Sequence, residues 1–277
     1  MQWQFLTEFA DSSWCPQFVR DELTETMRHF IVTMKAYDAI IPDFLWALQQ
    51  SSHKNVIDLC SGASGPWECL LQVINKFEFD VQTVTLTDIS PNRAAQERLR
   101  QKYPDKIICK EVPVDARNIA PELCGVRTIF SAFHHFTTEE AQAILQDAVN
   151  KEMSICIFEI TERSYKSLLH IPVATILPFA QRLFRRPLSL PGLFLTYALP
   201  IIPLLYWYDV AVSHLRSYSP TELKEMAAAL KNSESFQWES GKRESPGSLI
   251  KNTYLIGYPK RQRKAETGSC SDTQNTA

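Results

Sequence analysis

From Asn55 to Ile160, short apolar runs alternate with longer stretches of helical period, and this alternation limits the fold more than any other feature of the chain. The strand candidates are NVIDL (55–59), TVTLT (83–87), KIICKEV (106–112), RTIFSAF (127–133) and SICIFEI (154–160). Each is bounded by turn residues and apolar on both faces, as a strand covered from two sides must be. Between them PWECLLQVINKF, NRAAQERLRQKY and TEEAQAILQDAV repeat their apolar residues at about 3.6. The last two follow Ser90-Pro91 and Thr137-Thr138, which supply serine or threonine caps. The pattern predicts an α/β fold with an open, Rossmann-like, mostly parallel sheet and helices on both faces.

The flanks extend this plan. SYSPTELKEMAAALKN (217–232) reads as a helix with Ser219 as cap and Pro220 at its first position. SFQWES and NTYLIGY then read as an antiparallel hairpin on the sheet edge, bringing the strands to seven. Ahead of the alternation, CPQFVRDELTETMRHFIVTM and PDFLWALQQ read as amphipathic helices of an N-terminal cap. The organisation expected is a helical cap (1–54), a cofactor-binding core (55–163), an apolar insertion (164–216), a helix and hairpin completing the sheet (217–259) and a disordered polar tail (260–277).

The insertion has no charge between Arg186 and Asp209, a length that would span a bilayer. Pro187, Pro191, Pro200 and Pro203 are expected to break any helix there. Three readings stay open: packing on the core, a lid over an apolar substrate, or a peripheral membrane contact through 187–208. Arg182, Arg185 and Arg186 would suit anionic headgroups.

Net charge is −2 and the pI about 6.3, so no overall basic field points to nucleic acid as a partner. The basic cluster Lys260, Arg261, Arg263 and Lys264 opens the polar tail and reads as solvated. Seven cysteines without a C-x-x-C pair indicate a reducing compartment and argue against zinc, and no metal site is read. The N-terminus lacks a basic region before an apolar core, so a secretory signal is not expected and a cytoplasmic location is.

Residues 55–72, NVIDLCSGASGPWECLLQ, have the shape of a nucleotide-binding strand–loop–helix. Cys60, Gly62 and Gly65 fall where a dinucleotide fingerprint places its glycines, with cysteine replacing the first. Asp58 fits a pyrophosphate poorly; it suits a cationic ligand or the ordering of the loop. Asp58-Leu59-Cys60-Ser61-Gly62 resembles the first motif of class I S-adenosylmethionine-dependent methyltransferases, whose usual form is acid-x-G-x-G-x-G. Cys60 departs from it at the first glycine, and Ser64-Gly65 shifts the third by one.

The resemblance covers about 55–160 and 217–258. It implies S-adenosylmethionine as cofactor, with Asp88 and Ile89 after the second strand at the ribose and Asp115 and Ala116 after the third at the adenine. Asp58, Cys60, Ser61, Gly62 and Gly65 would form the loop beneath the cofactor, and Ser131 would follow the fourth strand. The post-strand-four segment Ser131–Phe136 contains His134 and His135, which would act as a base on a hydroxyl or thiol, or else pack beside the cofactor. Glu159, Arg163, His214 and Arg216 are the substrate-side candidates. The apolar insertion and Trp3, Phe5, Phe9 and Trp14 favour a small hydrophobic or lipid-like acceptor. The expected activity is in-line methyl transfer; the alternatives are a non-catalytic scaffold of the same fold and an NAD(P)-dependent oxidoreductase.

Overall fold

The computed structural model describes residues 3–260 apart from 78, 80, 185–188 and 245–249. Strands β1 (Val56–Leu59), β2 (Val84–Leu86), β3 (Ile107–Cys109), β4 (Val126–Phe130), β5 (Ile155–Glu159), β6 (Phe236–Glu244) and β7 (Lys251–Pro259) form one sheet in the order β3-β2-β1-β4-β5-β7-β6. β1 to β5 are parallel, and β7 enters antiparallel between β5 and β6, with Ile157 opposite Leu255. The strand order reverses between β1 and β4, so the crevice for a ligand lies beyond their carboxyl ends.

The pleat divides the core. Val56, Val84, Phe130 and Phe158 face α2 (Ile41–Gln50) and α3 (Trp67–Lys76), where Phe44 and Trp67 are fully buried. Ile57, Ile129, Ile157 and Leu255 face α5 (Thr138–Asn150) and α9 (Pro220–Ala228) on the other side. α5 and α9 both begin with capping boxes, Thr137 with Glu140 and Ser219 with Glu222. α4 (Arg93–Lys102) is capped by Asn92, whose side chain accepts from the Ala95 amide, and not by Ser90. The Ser90 amide is taken by Asp88 Oδ1 at 2.7 Å.

The insertion forms α6 (Tyr165–Gln181), α7 (Leu190–Leu193), a π turn at Phe194–Ala198 and α8 (Ile201–Arg216). Three of the prolines expected to break helices stand at helix starts instead. Pro191 lies in the first turn of α7, Pro200 caps α8 and Pro203 lies in its first turn, where an amide has no helical partner to lose. Pro187 falls outside the described residues. A third cluster joins the insertion to α1 (Gln17–Thr33) through Leu23, Ile171, Ile202 and Tyr206.

Arg182 is not available to headgroups: it is 3% exposed and paired with Glu22 of α1 through bonds of 2.8 and 3.1 Å. Arg185, Arg186 and the tail from Arg261 onward lie outside the described residues. Among those described, no single helix is long and apolar enough to cross a membrane, but the pair Leu190–Ala198 and Ile201–Arg216, bent by 77°, reaches that length and composition together.

Candidate functional site

Three alternate residues of the loop after β1 hold left-handed backbone: Cys60 at φ 56°, Gly62 at 47° and Ser64 at 73°, followed by Gly65 at 44°. Positions 60, 62 and 64 are those of the three glycines in acid-x-G-x-G-x-G. Ser64 therefore occupies the third glycine's place, and Gly65 adds a fourth left-handed residue instead of shifting the motif. Loop and strand ends are tied together from below. The Ser61 and Thr87 hydroxyls both donate to the Asp58 carbonyl, each at 2.9 Å.

The Asp58 carboxylate is 2% exposed, under the loop. The β1–β4 register sets it beside Thr128, whose hydroxyl donates to it at 2.7 Å. Burial drives its pKa up to about 7, against the pull of Thr128 and Ser61. This placement favours the loop-ordering role over direct ligand contact. Burial likewise pushes the Cys60 thiol well above its ordinary range.

The acid after β2 reaches the same loop. Asp88 Oδ2 accepts from the Gly62 amide at 2.8 Å, while the Asp88 carbonyl accepts from Val114 at 2.9 Å. One residue thus draws together the loops after β1, β2 and β3. Ile89 beside it is 65% exposed, a large apolar side chain at the open crevice. Ala116 is buried, and Asp115 is held by Arg117, whose Nη2 donates to Oδ2 at 2.7 Å. Ser131 has φ 47° and shares a 2.6 Å hydrogen bond with Tyr37, joining the end of β4 to the segment before α2.

His134 and His135 are not free bases. His134 is 3% exposed, with Nδ1 2.7 Å from Glu159 Oε2 and Nε2 3.2 Å from Glu8 Oε1. Burial opposes charging this ring, but Glu159 and Glu8 outweigh it and raise the pKa to about 10. His135 has Nδ1 2.6 Å from Asp11 Oδ2 and Nε2 3.8 Å from Glu8 Oε2. Burial tends to raise the Glu8 pKa, yet the two imidazoles bring it down to about 2.

Of the four substrate-side candidates, Glu159 and Arg216 contact this histidine pair, and all four are bonded within the protein. Glu159 accepts from the Phe133 amide as well as from His134. Arg163 is bonded to Glu222 at 2.5 Å. The His214 ring meets the backbone of Glu162, and burial lowers its pKa. Arg216 donates to the carbonyls of His134, His135 and Leu6.

Glu8, Asp11, Tyr37 and Thr128 were not read from the sequence. Glu8 and Asp11 lie on an N-terminal arm that carries no helical or strand period. The one available signal was the spacing of Asp209, Ser213 and Arg216 along α8. These positions share a helix face, and all three grip the arm: Asp209 accepts from Phe9 and Ala10, Ser213 donates to Glu8, and Arg216 donates to Leu6.

No family model and no curated protein matches the sequence. Solved structures do match. The plantazolicin methyltransferase BpumL, solved with S-adenosylhomocysteine, is 13% identical with a TM-score of 0.58, covering 91% of this chain and 94% of its own. A candidate zinc-dependent alcohol dehydrogenase from Rhodobacter sphaeroides is 14% identical with a TM-score of 0.51, covering 92% and 100%. A candidate O-methyltransferase from Nostoc punctiforme is 13% identical with a TM-score of 0.50, covering 91% and 63%. The inserted antiparallel β7 separates the sheet from the all-parallel 3-2-1-4-5-6 order of dinucleotide-binding domains. By topology and by the left-handed loop after β1, this chain has the fold of the class I S-adenosylmethionine-dependent methyltransferases.

Proposed function

We propose that the protein transfers a methyl group from S-adenosylmethionine to a small, apolar acceptor. The observation that carries this reading is the loop after β1, with its left-handed residues at 60, 62 and 64 fastened to Asp88. The crevice above it suits the cofactor. A Cβ added at Gly62 or Gly65 would meet no atom within 4 Å, so the backbone is open to close approach by a ligand. The Ser64 hydroxyl is buried with no hydrogen-bond partner among the described residues. Bound there, S-adenosylmethionine supplies a methyl group made electrophilic by its sulfonium.

Roles follow from the chain's own groups. The Asp88 carboxylate, with two of its lone-pair sites used by backbone amides, keeps capacity to accept from ribose hydroxyls. Ile89 offers an apolar surface beside it. Asp58 keeps the loop in shape from beneath. Methyl transfer depends chiefly on positioning and exclusion of water, so this reading assigns no proton abstraction to the carboxylate-bound His134.

An apolar acceptor is supported by the exposed apolar surface of the insertion and arm. Leu169, Ile176, Leu190, Phe194 and Leu204 of the insertion are each more than half exposed, as is Phe5 of the arm. The stretch 190–208 of the bent α7–α8 pair, which carries no charge, fits contact with a lipid surface, from which such an acceptor would be drawn. The test is transfer of labelled methyl from S-adenosylmethionine into a cell extract. A labelled product soluble in organic solvent is expected. Label in protein or RNA would overturn the acceptor class, and binding of cofactor without any transfer would favour the non-catalytic relative.

A further inference from the structure

We infer that Glu8, His134 and His135 form a binding site for one divalent cation of the zinc type. Their ligand atoms lie within 4.8 Å of one another. His134 Nε2 is 3.2 Å from Glu8 Oε1, and His135 Nε2 is 3.8 Å from Glu8 Oε2. Bonds of about 2.0–2.2 Å to a tetrahedral ion hold neighbouring ligand atoms about 3.3–3.5 Å apart, so the first separation already fits, the second runs to the other Glu8 oxygen, and donors as far as 4.8 Å apart would close by up to about 1.3 Å around the ion.

The outer contacts are those of metal-bound imidazoles. A ligating histidine hands its other N–H to a carboxylate, which fixes the tautomer and aims the free nitrogen. Here both rings do so: His134 Nδ1 meets Glu159 at 2.7 Å and His135 Nδ1 meets Asp11 at 2.6 Å. Glu159 is itself anchored by the Phe133 amide, and Glu8 by the Ser213 hydroxyl. A simple ion pair between one imidazole and Glu8 explains neither the second ring turned to the same carboxylate nor the separate carboxylate behind each ring.

Glu8 and His134 are buried, whereas the His135 and Asp11 side chains are 28% and 40% exposed. An ion therefore has a solvent-side approach and a coordination position left for water or another oxygen ligand. Two imidazoles and a carboxylate suit zinc or cobalt better than calcium or magnesium, which prefer oxygen alone. The cysteine spacing gave no hint of this site, because its donors are two adjacent histidines and an acid more than a hundred residues away. The site stands independently of the methyl-transfer reading.

The test uses the full chain without an affinity tag, stripped by chelator and titrated with Zn²⁺ by calorimetry and with Co²⁺ by visible absorption. One ion per chain is expected, with a cobalt spectrum free of thiolate charge transfer. Glu8→Gln and His135→Ala should each weaken binding by more than about 100-fold, and Asp11→Asn by about 10–100-fold, the range usual for outer partners. Circular dichroism of each variant checks the fold, and Asp11→Asn, at a half-exposed position, remains informative if the others unfold. Absence of stoichiometric binding, or binding indifferent to all three substitutions, would overturn the site.

Discussion

Cys60 and Ser64 stand in backbone conformations that L side chains enter at a cost of about 1–2 kcal/mol each. Glycine relieves that cost while adding freedom to the unfolded chain, so Cys60→Gly should raise stability by up to about 1 kcal/mol, read as the urea midpoint. Affinity for S-adenosylhomocysteine should stay near that of the parent; a lower midpoint together with lost binding would mean that the thiol holds the loop. Asp58 makes a second prediction. Its folded pKa of about 7 lies above its ordinary value of 3.8, so the folded state binds more protons and its contribution to stability, full below pH 3.8, is lost as pH rises toward 7. Asp58→Asn should therefore flatten the fall in melting temperature between about pH 4 and about pH 7, and parallel melting curves for the two proteins would refute the assignment. The motif itself was legible in Asp58 and Gly62. The place of Ser64 was passed over because Gly65 offered the more obvious third glycine, although the count from Asp58 reaches 64 and both residues are left-handed.

At the scale of elements, strands and helices were readable wherever apolar residues kept a period. β1, β2, β3 and β5 fall inside their expected segments and β4 begins one residue before its own, at Val126, because strands covered on both faces need unbroken apolar runs. β3 ends at Cys109 and not near Val112, which is 64% exposed on the edge strand's outgoing chain. The arm was illegible, since its positions are set by α8 more than by its own sequence. The junction of insertion and α1 can be tested through the buried Arg182–Glu22 pair, whose side chains are 4% and 11% exposed. Glu22→Ala leaves a buried guanidinium without its carboxylate and should cost about 3 kcal/mol in chemical denaturation. A loss below about 1 kcal/mol would mark the pair as no stronger than a surface contact.

For the whole molecule, the strand order sets a crevice beyond the carboxyl ends of β1 and β4, while the insertion and arm carry exposed apolar side chains. If that surface meets lipid, the purified protein should float with liposomes, and Leu190→Asp/Phe194→Asp should return it to the unbound fraction. Flotation unchanged by both substitutions would remove this face from the contact. The central claim is narrower: the loop after β1 and Asp88 together hold S-adenosylmethionine. Calorimetric titration with S-adenosylhomocysteine tests it most directly. The account predicts saturable binding at a dissociation constant on the order of 1 μM, equivalent to about −8 kcal/mol, severely weakened by Asp88→Ala. Binding of NAD(H) with none of S-adenosylhomocysteine, or an affinity indifferent to Asp88→Ala, would contradict it.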